Sequence, residues 1–144
     1  SDTVPARPEP GAPTPPIALP DAAGATARLV APVVEVDDAL VARLGDACAE
    51  VTTDPATTAE AGRDWWPLGI VWATDNAVPA RAGVVVRPGS VDEVAAVAAI
   101  CHEARVPLTT AGGRSGVCGA SVPVFGGVVL DTTGLSGIRN VDDA

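Results

Sequence analysis

The sequence predicts an α+β fold in which a strand–helix–strand–loop–strand unit follows a helical segment and a proline- and alanine-rich tail. Three observations predict it. Residues 83–86, "GVVV", are a short apolar run; "SVDEVAAVAAICHEAR" at 90–105 is a capped amphipathic stretch; and "GGVVLD" at 126–131 is a second apolar run, reached through a long glycine-rich loop. Short apolar runs bounded by turns mark buried strands, while apolar spacings of three and four mark one face of a helix.

The elements follow in order. Eight of the fourteen prolines lie in residues 1–32, among Ala, Thr and small polar residues with no sustained apolar period. Such a segment buries too little apolar surface to offset its ordering entropy, so residues 1–32 are expected as a disordered, partly polyproline-like tail. A plain linker is one reading of it, and a docking site for a proline-reading partner is the other. Residues 33–78 read as a helical segment. Leu40, Val41, Leu44, Ala47, Cys48 and Val51 share one helical face, opened by Asp37 or Asp38 as the cap, and Pro55 and Pro67 prevent a long continuous helix after it. Trp65, Trp66 and Trp72 are the chain's only tryptophans. As a cluster they fit a packing anchor against the next domain better than a substrate platform, because of the area they bury.

Residues 79–144 carry the strand-rich part. A strand at 83–86 stops at the turn "RPGS", where Ser90 and Glu93 form an S-x-x-E capping box. Val91, Val94, Val97, Ala98, Cys101 and Ala104 then repeat at helical spacing until Pro107, and "VPLTT" starts a second strand. A helical crossover makes the two strands parallel. A third strand is expected at 126–133, and "LSGIRNVDD" reads as the start of a fourth. The chain then stops with a strand edge unpaired, which predicts a truncated domain.

Charge and cysteine usage exclude several classes. Nine Arg and no Lys stand against eighteen Asp and Glu, a net charge of −9. That balance argues against nucleic acid and anionic membrane surfaces. The longest apolar run, Val94–Cys101, is too short to span a bilayer, and no secretory signal is visible, which points to the cytoplasm. Cys48, Cys101 and Cys118 form no CxxC and have no histidine partner for a metal site, so reduced thiols are expected. His102, the only histidine, sits where it favours a helix C-terminus rather than catalysis. Asp131 reads as a turn or strand cap, leaving no catalytic group assigned.

The informative feature is "TTAGGRSGVCGASVP" at 109–123. Residues 109–127 contain Gly112, Gly113, Gly116, Gly119, Gly126 and Gly127. Ala111-Gly112-Gly113-Arg114-Ser115-Gly116 can turn several N–H groups toward one point as an anion nest, with a hydroxyl from Ser115 and a charge from Arg114. Phosphate is the natural guest. A lysine P-loop is excluded because the chain has no Lys, and G-G-x-x-G-x-x-G is not the dinucleotide spacing G-x-G-x-x-G. A connection of this length is rarely idle in a compact domain.

The run "VVVRPGSVDEVAAVAAICHEARVPLTTAGGRSGVCGASVPVFGGVVLDTTGLSGI", with "RDWWPL" ahead of it, resembles the vanillyl-alcohol oxidase and para-cresol methylhydroxylase (PCMH-type) family of FAD-binding oxidoreductases. The branch it looks most like holds alkyldihydroxyacetonephosphate synthase and a glycolate oxidase subunit. The resemblance covers about residues 60–144 and implies the first subdomain of a PCMH-type FAD-binding domain. It implies that Thr109, Thr110, Ala111, Gly112, Gly113, Arg114, Ser115, Gly116 and Gly119 bind FAD, with the loop around the pyrophosphate. Some relatives tether the flavin through a histidine where Arg114 stands, so non-covalent FAD is expected. Many have glycine in place of Ala111, whose methyl group is tolerable only at negative φ.

The resemblance implies the FAD-binding portion of a flavin-dependent oxidoreductase. Its chemistry would be oxidation of a 2-hydroxy acid or alcohol, or alkylglycerone-phosphate-synthase-like, with a small-molecule substrate only if the remaining domains are present. A non-catalytic truncated fragment that binds a partner chain is the alternative. A general phosphate-binding module is a third.

Overall fold

The computed structural model describes residues 15, 17–138 and 140–142 of the 144. Its main sheet has four strands: β2 (Glu50–Thr52), β4 (Val84–Arg87), β5 (Leu108–Ala111) and β6 (Val128–Asp131), in the order β2-β4-β6-β5. β4, β6 and β5 run parallel, in registers that pair Val86 with Leu130 and Ala111 with Asp131. β4 and β5 are parallel as their helical crossover requires, but β6 lies between them.

Period-two alternation splits the sheet into two unlike faces. Val84, Val86, Val128 and Leu130 pack against Leu40, Leu44 and Cys48 from α1 (Asp38–Ala47) and its C-terminal cap, and against Val97 and Cys101 of α4 (Val91–Ala104). A fully buried Val or Leu contributes about 1.5–3 kcal/mol over leaving it exposed, so this face supplies most of the core energy. Opposite, Val85, Val129 and Ala111 form a smaller buried cluster with Ala61 and Ala82.

Local sequence explains the helix ends. Asp37 caps α1 by accepting from Leu40 N at 2.8 Å. Ser90 Oγ accepts from Glu93 N at 3.2 Å to cap α4, while Glu93 reaches back one residue further than a standard box, accepting from Gly89 N at 3.2 Å. His102 lies in the last turn of α4, and Arg105 ends it at φ 54°. α2 (Pro55–Glu60) and α3 (Pro67–Ala73) each start on the proline that interrupted the periodic pattern, the position where a missing N–H costs nothing. No helix of the described residues is long and apolar enough to cross a membrane.

Three expectations need correcting. Residues 17–32 are not a disordered tail: β1 (Thr26–Ala27) pairs in parallel with β3 (Ala77–Val78), and Leu19 and Ala25 are buried with Ala59, Ala73 and Val78. The order comes from distant partners. Arg28 N and Leu29 N donate to Val78 O and Pro79 O, both at 2.9 Å, Arg63 donates to Ile17 O, and Arg81 donates to Ala23 O and Ala25 O. The tail reading for residues 1–14 and 16 lies outside the described residues. Second, the segment 33–78 is not purely helical, since β2 joins the sheet antiparallel to β4. Third, the third strand is shorter than 126–133 and no fourth follows among the described residues. Gly127, at φ +71°, turns where a Cβ would run into Pro107 O, and after Asp131 the chain enters a 3₁₀ turn at Thr132–Gly134.

Candidate functional site

The three parallel strands end level, at Arg87, Asp131 and Ala111. Parallel open sheets offer ligand crevices outside these carboxyl ends, where the connecting loops cluster. Here the edge is tied together by one carboxylate. Asp131 Oδ1 accepts from Thr133 N at 2.9 Å and from Thr133 Oγ1 at 2.7 Å, which is the capping role the sequence indicated. Its Oδ2 lies 3.4 Å from Arg87 Nη2 and 3.6 Å from Arg114 Nη2. Arg87 Nη1 donates to Glu50 Oε2 at 2.7 Å, and Thr132 Oγ1 donates to Ala111 O at 3.1 Å. Side chains from β4 and from the glycine loop therefore meet the β6 carboxylate at Asp131.

Arg114, read from the sequence as the charge of the nest, is turned inward. Its backbone takes the left-handed φ of 51°, and its side chain, 11% exposed, turns inward to Asp131 with Nε buried and unpartnered. Burial pulls its guanidinium below the ordinary arginine range, against the opposing pull of Asp131 and Glu60. Beneath the loop, Ala56, Thr57 and Glu60 of α2, with Val85, Arg87, Arg114 and Asp131, line a cleft of about 130 Å³.

The remaining site residues fall into two groups. Thr109 and Thr110 belong to β5; Ala111 ends it, buried, and outside the positive-φ region, so its methyl group meets the condition set for it. Gly112, Gly113, Ser115 and Gly116 are exposed. A Cβ on Gly113 would meet nothing within 4 Å; one on Gly112 would lie 3.5 Å from Thr132 Oγ1, and one on Gly116 would lie 3.9 Å from Asp64 Oδ2. None of the three has a positive φ. Nothing within the described chain demands glycine at these positions, whereas close approach of a ligand would. Gly119 differs: at φ +75° it turns the chain against the Trp66 ring, and it has a reason internal to the fold.

Sequence reasoning did not find the Arg87–Asp131–Arg114 group or the role of Asp64 under the loop. Strand alternation puts Arg87 and Asp131 on the same sheet face, and the strand order brings them together. Trp66 lies beside Gly119, where a Cβ would sit 3.6 Å from its ring, and it meets Trp72 edge to face, with ring centroids 5.6 Å apart. Trp65 is more exposed.

Comparison with known proteins matches residues 82–144 to the FAD binding domain family. The chain is 40% identical over 63 residues to a D-lactate dehydrogenase of Anaerostipes hadrus, a match covering 44% of the chain and 13% of that protein. It is 30% identical over 116 residues to the mitochondrial D-2-hydroxyglutarate dehydrogenase of Bos taurus, covering 81% of the chain and 20% of that protein. A solved alkyldihydroxyacetonephosphate synthase shares the fold at a TM-score of 0.67 with 20% identity, over 78% of this chain and 21% of that one. The chain thus spans about a fifth or less of the length of each.

Proposed function

We propose that residues 82–144, which match the FAD binding domain family, form an FAD-binding segment of the PCMH-type fold and that the loop at 112–116 binds the FAD pyrophosphate non-covalently through its backbone. The observation that carries the reading is the set Gly112, Gly113 and Gly116, glycines at exposed positions where neither φ nor a neighbouring atom of the described chain requires them. Phosphate oxygens brought against such a backbone accept from N–H groups that a side chain would shield, and Ser115 adds a hydroxyl donor.

Arg114 acts from below in this reading. Its left-handed backbone turns the loop, and its guanidinium, paired with Asp131, places positive charge under the nest instead of contacting phosphate directly. Arginine cannot form the bond by which a histidine tethers flavin, so the attachment at this position is non-covalent. Thr109, Thr110 and Ala111 present the loop from the end of β5, and Gly119 closes it against Trp66.

Bound FAD supplies a two-electron acceptor for oxidation at an alcohol carbon. Two of the relatives are named for D-lactate and D-2-hydroxyglutarate, and a 2-hydroxy acid is accordingly the substrate class proposed for the longer protein of which such a domain forms part. The chain's own contribution is binding and orientation; no acid or base of the described residues is assigned to the reaction.

Titration of the purified chain with FAD, followed by quenching of flavin fluorescence, tests the reading. Saturable binding that millimolar inorganic phosphate fails to displace is expected. Absence of binding would remove the proposal, and equal competition by phosphate would reduce the loop to a general phosphate site.

A further inference from the structure

The segment Arg63–Trp66 lies ahead of the matched FAD-binding residues, yet it is built into the glycine loop. Trp65 N–H donates to Gly116 O at 3.0 Å. Asp64 Oδ1 accepts from Trp66 N at 2.9 Å, bending the backbone so that the Trp65 N–H faces the loop. Trp66 then supports the other end: a Cβ on Gly119 would sit 3.6 Å from its ring. Thus one short stretch grips the loop at two points, Gly116 and Gly119.

The stretch is itself anchored. Arg63, 1% exposed, donates through Nε and Nη2 to Glu60 at 2.8 and 3.1 Å and through Nη1 to Ile17 O at 2.6 Å. Asp64 is equally buried, at 1% exposed, and its Oδ2 has no hydrogen-bond partner. A buried carboxylate oxygen without a donor is costly, and is retained where the group holds something else in place.

We infer that Asp64 and Trp66 are positioning residues of the FAD loop, a clamp that holds Gly116 and Gly119 so that the intervening backbone is presented in one arrangement. The clamp itself stands on the contacts above; its effect on cofactor affinity rests on the proposed function. A preorganised loop has less freedom to lose on binding, so loosening it weakens the ligand without touching a ligand contact.

Hydrogen exchange of the full chain without FAD tests the clamp directly. Asp64→Ala removes the acceptor for Trp66 N and is expected to speed exchange of the Trp65 and Val122 amides about tenfold, the scale of one lost cap or buried hydrogen bond, while Val128 in β6 stays unchanged. Asp64→Asn keeps the Oδ1 acceptor and restores slow exchange to within about twofold. Trp66→Leu leaves Asp64 intact and frees Val122, whose N–H donates to Gly119 O, so it decides the matter if Asp64→Ala does not fold. In the presence of FAD, Asp64→Ala weakens binding by a similar factor and Asp64→Asn does not. Unchanged Trp65 and Val122 amides, or equal loosening of Val128, overturn the clamp. Loss of FAD binding by the unmodified chain overturns the cofactor reading and leaves the exchange result to judge the clamp alone.

Discussion

Replacing Gly113 by Val separates a glycine kept for a ligand from one kept for the fold. A Cβ at Gly113 meets nothing within 4 Å, and its φ lies outside the left-handed region. The folded state therefore has room for the side chain, while the unfolded chain loses freedom, so stability should stay level or rise by about 0.4–1 kcal/mol. Gly127→Val provides the contrast: φ is +71° and the new Cβ collides with Pro107 O, so a loss well above 1 kcal/mol is expected. For FAD the order reverses. A side chain over the nest removes one or two charge-assisted hydrogen bonds of about 1.5–3 kcal/mol each, which lowers affinity by roughly tenfold to a hundredfold or more. Urea unfolding and flavin fluorescence titration of both variants read the two quantities separately. The reasoning is refuted if Gly113→Val destabilises as much as Gly127→Val, or if it binds FAD as tightly as the unmodified chain.

Arg114→Gly relieves a left-handed backbone strain of about 1 kcal/mol while deleting the guanidinium, and should cost FAD less affinity than Gly113→Val does; complete loss of binding would make the guanidinium a direct phosphate ligand. Leu44→Ala, at a fully buried position of the helix-covered face, should destabilise by about 2–5 kcal/mol in urea unfolding, and a loss under 1 kcal/mol would contradict that core. A thiol reagent should modify exposed Cys118 in the native chain and reach Cys48 and Cys101 only on unfolding. Burial raises both of those thiols, so the unfolded chain releases their protons first. Stability should hold below about pH 8.5 and fall as pH rises above it, and replacing both by Ser should flatten that fall in denaturant titrations at successive pH values.

What the sequence made legible was whatever local chemistry determines. The α4 helix could be read from Ser90 through Ala104 because its cap, its apolar period and the Pro107 boundary all lie within one stretch. β4 and β6 were legible as β-branched runs, and the loop as a concentration of glycine. The N-terminal residues 17–32 were not, because their order depends on Arg63 and Arg81 donating to backbone carbonyls 46 to 58 residues away. β2 is three residues long, and pairing with β4 makes it a strand where its own sequence carries little signal. The inward turn of Arg114 follows from a sheet order that places Asp131 beside it, and residue spacing says nothing of that order. The same limit hid the clamp: "RDWWPL" stood out as an aromatic cluster, but the hydrogen bond from Trp65 to Gly116 exists only in three dimensions.

The most direct test of the cofactor loop is an amide-resolved NMR titration of the chain with FAD. The Gly112, Gly113, Ser115 and Gly116 N–H signals should shift most, with phosphorus couplings across the new hydrogen bonds. Shifts centred instead on the cleft residues Thr57, Glu60 and Arg87, or none at saturating FAD, would contradict a backbone nest for the pyrophosphate.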